Sequence, residues 1–168
     1  AETANGSGNS EVFNDSEGVL FADISALADT VSGYNSIGIG SSGSTLNRIG
    51  IGFEPTNEIY AYKHDGTNYW LPSATMNIKL YNKVALSYNT NDNHLWINGF
   101  KIVSNTTVGD MAQPTSLGFE ASYGGEQFYG KTKELGYYDT ALTDAELEYM
   151  TSYRSLNELV TELNLNTL

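Results

Sequence analysis

Residues 83–103 read KVALSYNTNDNHLWINGFKIV, and this stretch decides the fold. Val84, Leu86 and Tyr88 alternate with Ala85 and Ser87, the period-2 pattern of a strand with one buried face. Asn89 to Asn93 is a run of short polar side chains that ends the strand in a turn. Leu95 and Ile97 then alternate with Trp96. Asn98-Gly99 follows, a strong two-residue hairpin signal, because both central residues of a type I′ turn need positive φ. Phe100 to Val103 is the return strand. Three antiparallel strands in so short a span form a meander, not a parallel βαβ unit.

Upstream of the meander, Ala1 to Ser10 is rich in Gly, Ser and Asn and has little to bury, so residues 1–16 are expected to be a flexible lead-in. Glu17 to Leu27 is the first strand. Val19, Phe21 and Ile24 break strict alternation there, and a bulge near Ala22-Asp23 is expected. Tyr34 to Gly40 and Leu46 to Phe53 form a hairpin whose buried face is Ile37, Ile39, Ile49, Ile51 and Phe53. The glycines between them call for a neighbouring backbone or a large aromatic crossing the other face. Glu58 to Lys63 is the next strand, His64 to Thr67 a turn by its Asp-Gly pair, and Asn68 to Leu71 the return.

Downstream, Thr107 to Thr115 is a loop. Ser116 to Ala121 and Gln127 to Tyr138 are closing strands around Tyr123-Gly124-Gly125. Many short strands at this spacing predict an all-β, two-sheet antiparallel jelly-roll β-sandwich over residues 17–153. The period then changes. Thr143 and Glu146 make a capping box, and Leu147 and Met150 supply an apolar stripe. A second short helix is expected over Ser155 to Leu163, with Leu156, Leu159, Val160 and Leu163 on one side. Residues 154–168 would be a tail packing on the sandwich or, as a route to a homo-oligomer, on a neighbouring subunit.

Two phrases carry a resemblance to a known family. KVALSYN…HLWINGFKIV, together with FYGKTKELGYYDTALTDAELEYMTSY at residues 128–153, resembles laminin-G-like, or concanavalin-A-like, lectin domains. In order and spacing the resemblance covers residues 17–153. The closing phrase is similar to versions of this domain in tail and adhesion proteins of bacteriophages. The animal domains usually carry a disulfide, and this chain has no cysteine. The resemblance implies a jelly roll that binds glycans.

Composition narrows the partners. Eight Lys and Arg stand against 20 Asp and Glu, a net charge of -12. That disfavours nucleic acid and anionic membrane surfaces, which need phosphate neutralised by a basic patch. No apolar run approaches the ~18 residues of a membrane-inserting helix. The acidity fits an extracellular or virion surface and leaves room for a divalent cation. The first residue is not Met, so an excised or processed piece is expected.

Catalysis finds little support in the residues. Glycosidases on a jelly roll place carboxylates on one face of one strand, and no Glu-x-Asp-x-x-Glu occurs. Asp144, Glu146 and Glu148 belong to a helix start, where they cap and interact with its dipole. The only histidines are His64 and His94, and no Gly-x-Ser-x-Gly elbow is present. No hydrolase or lyase activity is expected.

Aromatic residues are the better signal. If Leu95 and Ile97 face inward, Trp96 faces the other way, and the same alternation turns Tyr60, Tyr62 and Trp70 outward. With Tyr123 these are the candidate sugar platforms, and the competing reading is that the rings belong to the core. Asp65, Asn91 and Asp92 offer oxygen ligands on turns as candidate calcium ligands, or else bond their own backbone as Asx turns. Three functions follow as expectations. They are a non-catalytic carbohydrate-binding or adhesion module of a phage virion, a structural assembly domain of a fibre, and a binding module of a secreted bacterial polysaccharide-degrading enzyme.

Overall fold

A computed structural model describes residues 8–29 and 33–153. In chain order the first strands are β1 (Gly18–Ala26), β2 (Asn35–Gly40), β3 (Arg48–Glu54), β4 (Glu58–His64), β5 (Tyr69–Trp70) and β6 (Ser73–Thr75). The meander supplies β7 (Asn82–Asn89), β8 (Asp92–Ile97) and β9 (Phe100–Asn105). The chain closes with β10 (Ser116–Gly118), β11 (Gly130–Tyr138) and the helix α1 (Asp144–Thr151). One antiparallel sheet has five strands in the order β11-β1-β7-β8-β9. The other has six, in the order β10-β2-β3-β4-β5 with β6 pairing β4. The two form the expected sandwich.

The meander folds as its alternation requires. Leu86 pairs with Leu95 across β7 and β8, and Ile97 pairs with Phe100 across β8 and β9. Asn98 and Gly99 have φ of 52° and 87°, the left-handed pair that a type I′ turn demands. Leu20, Ala22, Ile24, Val84, Leu86, Leu95 and Ile97 of the five-stranded sheet meet the five buried residues of the β2–β3 hairpin and Ile59 of β4. Each such fully buried side chain contributes about 1.5–3 kcal/mol relative to exposure.

In β1 the irregular alternation has a different cause from the one expected. Leu20, Ala22 and Ile24 face the sandwich core, while Val19 and Phe21 face a second apolar cluster on the opposite side. The strand is apolar on both faces because both are covered. The register does slip, between Asp23 and Ile24, but the extra residue is Lys133 of β11, since Asp23 pairs with Glu134 and Ile24 with Thr132.

The cover on that second face is α1. Its capping box is formed: Thr143 Oγ1 accepts from the Glu146 amide, and Glu146 Oε2 accepts from the Thr143 amide at 2.8 Å. Leu147 then packs with Val19, Phe21, Ala85 and Trp96, with Leu142 and Met150 alongside. The Gly99 amide donates to Thr151 Oγ1 at 3.1 Å, tying the hairpin turn to the helix end. The helix expected over Ser155 to Leu163 lies outside the described residues, as do residues 1–7 of the lead-in, whereas its later part packs on the sandwich, with Phe13 buried in the core and the Asn14 amide donating to the Tyr137 hydroxyl at 2.8 Å.

Lys63 crosses the core end of the sandwich. Fully buried, it donates to Asn93 Oδ1 at 2.8 Å and lies 5.1 Å from the Tyr88 ring. Asn93 in turn donates to the Val108 carbonyl at 2.8 Å, so this pair links the two sheets to the loop after β9.

Candidate functional site

Strand alternation that sends Ile37, Ile39, Ile49, Ile51 and Phe53 inward sends Ser36, Gly38, Arg48, Gly50 and Gly52 to the outer face of the six-stranded sheet. Across the strands these positions line up. Gly118, Gly38, Gly50 and Tyr62 are successive neighbours, as are Ser36, Gly52, Tyr60 and Ser73. The glycines leave a trough that the Tyr62 ring fills. A Cβ on Gly50 would sit 2.3 Å from Tyr62 Cζ, and one on Gly38 would sit 2.5 Å from its hydroxyl. The large aromatic that the glycines called for is therefore Tyr62. Tyr60 stacks 6.0 Å from it, and Tyr34 meets Tyr60 edge-on at 5.0 Å.

A loop over 119–127 crosses onto the same face. The Ser36 amide donates to the Glu126 carbonyl, and the Gly43 amide to the Ser122 carbonyl, each at 2.8 Å. The loop hangs Tyr123 and Glu126 over the tyrosines, and Glu126 Oε2 accepts from the Tyr60 hydroxyl at 3.4 Å. Beside it lies a cavity of about 170 Å³ lined by Ser42, Ser116, Glu120 and Ser122 over the floor glycines Gly38 and Gly118.

Arg48 stands at the centre. It is cross-strand to His64, which is cross-strand to Tyr69. Its Nε donates to the Thr45 carbonyl at 2.9 Å. The guanidinium lies over three rings, 4.5 Å from the centroid of Tyr62, 5.1 Å from Tyr123 and 5.8 Å from Tyr69. The residue is only 8% exposed, and its buried Nη1 has no acceptor. Burial pushes the Tyr62 hydroxyl up to about 12, against the pull of Ser36 and Arg48. Burial, then hydrogen bonding to Glu126, raises Tyr123, while burial and the Arg48 charge lower His64. At neutral pH the face is a set of protonated phenols and an uncharged imidazole around one fixed cation.

The structure corrects four expected platforms. Trp96 does face away from Leu95 and Ile97, but that side is covered by α1 and its ring is 5% exposed. Trp70 points into the sandwich core, because its cross-strand partner Lys63 faces inward, and Tyr69 takes the outward place. Tyr60 and Tyr62 are on the outer face, yet sealed beneath Tyr34, Arg48 and the 119–127 loop, so they support the surface and do not form it. Tyr123 is half-buried at that surface. The sequence reading missed Arg48, Tyr69, Tyr34 and Glu126. Arg48 was findable, since it shares a parity with Gly50 and Gly52 in β3.

The candidate calcium residues meet at the rim, but in separate roles. Asp65 Oδ1 accepts from the Thr67 and Asn68 amides at 2.8 and 2.6 Å, and Oδ2 from Asn68 Nδ2 and the Gly109 amide at 3.0 and 2.8 Å. Burial alone would raise its pKa, but these hydrogen bonds outweigh it and hold the carboxyl well below the usual range. Asp92 Oδ1 lies 3.1 Å from His94 Nε2, and Asn91 sits at φ 55° in the β7–β8 turn. Among the described residues no three Asp, Glu or His side chains converge. Burial lowers the pKa of the Lys63 ammonium to about 8, against the pull of Asp110 and Asp65. A calcium ion would have to displace donors already bound to Asp65. Adding calcium to chelator-treated protein is expected to leave the melting temperature unchanged, and a rise that saturates with calcium would contradict this.

No family model matches the chain, and no curated protein matches it significantly. Solved structures do. The CBM40 domain of a Ruminococcus gnavus IT-sialidase, bound to α2,6-sialyllactose, superposes with a TM-score of 0.66 at 14% identity, over 90% of this chain and 95% of that one. Domain 4 of AbnA, an extracellular arabinanase of Geobacillus stearothermophilus in complex with arabinotriose, gives 0.66 at 14% identity over 86% and 70%. The NanB sialidase of Streptococcus pneumoniae gives 0.66 at 13% identity over 88% of this chain. This chain spans only 26% of NanB and 24% of a leech intramolecular trans-sialidase. At these identities the likeness is one of fold.

Proposed function

We propose that the chain is a non-catalytic carbohydrate-binding module whose binding face is the outer face of the six-stranded sheet. The observation that carries this reading is the tyrosine-framed surface around Arg48. Exposed Tyr34 and Tyr69 and half-buried Tyr123 offer ring faces for the C–H side of a sugar. Their hydroxyls, Glu126 and the serine-lined cavity beside them offer partners for its hydroxyl groups. Support comes from the shared fold with domains described as bound to sialyllactose and to arabinotriose.

The arrangement of the Glu54–Glu58 pair supports binding without turnover. Glu54 and Glu58 are cross-strand neighbours at the far end of this face, with Glu54 raised by burial and Glu58 lowered to about 2 by the Thr75 hydroxyl, the Glu54 carboxyl and Ser73. They hydrogen-bond each other, whereas a retaining glycosidase holds its pair about 5 Å apart to flank the scissile bond. The setting we propose is extracellular, as a module of a larger carbohydrate-active protein. A virion tail is the rival setting, and the identity of the adjoining polypeptide separates them.

The test is a glycan array with the full chain, followed by an assay for released reducing ends on any glycan bound. Binding without release is the expected result. Release abolished by Glu58→Gln would make the protein an enzyme, and an array blank across neutral and acidic glycans would favour a structural assembly domain.

A further inference from the structure

Resting on the carbohydrate reading, we propose that the sugar taken by this face carries a carboxylate, and that the Arg48 guanidinium receives it. The chain has 20 acidic residues against 8 basic ones, so most of its cations could find an acid close by. Lys79 pairs with Asp29 and Lys101 with Asp144. Arg48 does not: no carboxylate among the described residues forms an ion pair with it, although it is 8% exposed and its Nη1 has no acceptor. A buried cation left without an anion is the complement of one that arrives from outside.

The side chain is also held ready. Nε is anchored to the Thr45 carbonyl, and the Tyr62 and Tyr123 rings lie within cation–π range of the planar group. What has no acceptor is Nη1, while Tyr62 and Tyr69 hydrogen-bond the side chain, and a carboxylate oxygen arriving there completes the charge-assisted pairing that the fork is built for. Glu126 of the crossing loop is engaged with the Tyr60 and Tyr123 hydroxyls and forms no ion pair with Arg48.

Access to Nη1 runs past the two outermost rings. Tyr69 is 47% exposed, and Tyr123 is followed by Gly124-Gly125, where a Cβ on Gly124 would touch nothing within 4 Å. Rotation of these rings, a common scale of change on binding, opens the guanidinium edge while leaving the buried Tyr62 in place. Uronic acids and nonulosonic acids share the required chemistry, a ring with a carboxylate beside it. A sulfate ester is tetrahedral and matches the planar fork less well.

Calorimetry on the full chain tests this with matched pairs: trigalacturonate against its methyl ester, and sialyllactose against lactose. A sulfated galactose oligomer is a fifth ligand. At least one acid is expected to bind about tenfold or more tighter than its neutral counterpart, with the preference shrinking as salt is added. Which acid it is identifies the sugar class. Arg48→Lys keeps the charge but not the fork, and is expected to lose about tenfold on the acid and little on the neutral sugar. The ester comparison needs no variant, so it stands even where Arg48→Lys fails to fold. Equal binding of acid and ester, an unchanged preference in Arg48→Lys, or tighter binding of the sulfated oligomer overturns the carboxylate assignment while the glycan reading survives. Failure of all five ligands and of the array overturns both.

Discussion

Replacing Trp96 with alanine is expected to cost about 3–5 kcal/mol of stability, the range for truncating a buried aromatic. The ring fills the space between β1, β7 and α1, against Val19, Phe21, Ala85 and Leu147. Lys101 lies 5.4 Å from its centroid and also pairs with Asp144 in the first turn of the helix, so the ring sits under a polar lid as well as an apolar one. Deleting it opens a cavity that a helix of eight residues can close only by shifting. The unpartnered indole N–H offsets part of the loss, since the alanine variant no longer buries it. Urea unfolding of Trp96→Ala and Trp96→Phe measures the effect, and the phenylalanine should recover much of it. A loss under about 1 kcal/mol for alanine would mean that α1 does not cover this face. Glycan affinity in Trp96→Phe should match the wild type, because the proposed binding face is on the other sheet.

Gly50→Ala is expected to be the second large effect, and it acts on both stability and binding. Its Cβ would fall 2.3 Å from Tyr62 Cζ and 2.4 Å from the hydroxyl, inside any tolerated contact. Tyr62 cannot yield easily, being fully buried and held between Arg48 and Tyr60. Overpacking of this kind costs about 1–3 kcal/mol or more. The displaced ring would carry Arg48 with it, so sugar affinity should fall as well. Gly118→Ala is the control for stability alone, since its Cβ would make only ordinary contact, 3.5 Å from Glu120 Cγ. A Gly50→Ala protein as stable as the wild type would show that Tyr62 does not lie in the glycine trough.

What the sequence disclosed and what it hid differ for physical reasons. The meander and the β2–β3 hairpin were legible because one-face burial imposes period 2, and Asn98-Gly99 admits few backbones. The glycines of β2 and β3 were legible as a crossing point, because a missing Cβ implies something in its place. Alternation also put Trp96 on the right side of its strand. It could not say what lies on that side, and the short helix supplying the cover is some fifty residues away in the chain. Trp70 failed differently: β5 is two residues long, too short for a pattern, and its direction is inherited from Lys63 across the sheet. Arg48 passed unnoticed because charge is expected at the surface, and only the three-dimensional stacking of Tyr62, Tyr69 and Tyr123 around it shows that it is enclosed.

The central claim is that glycans bind on the outer face of the six-stranded sheet. Calorimetric titration of the strongest array ligand into Tyr69→Ala and Tyr149→Ala tests it most directly. Both rings are exposed, at 47% and 69%, so neither substitution should disturb the fold. They stand on opposite sides of the sandwich, Tyr69 beside Arg48 and Tyr149 on α1. Loss of a stacking ring worth about 1–1.5 kcal/mol predicts a weakening of about tenfold for Tyr69→Ala. Tyr149→Ala should bind as the wild type does. The reverse result, unchanged affinity in Tyr69→Ala with a loss in Tyr149→Ala, would move the binding face to the helix side and contradict the account.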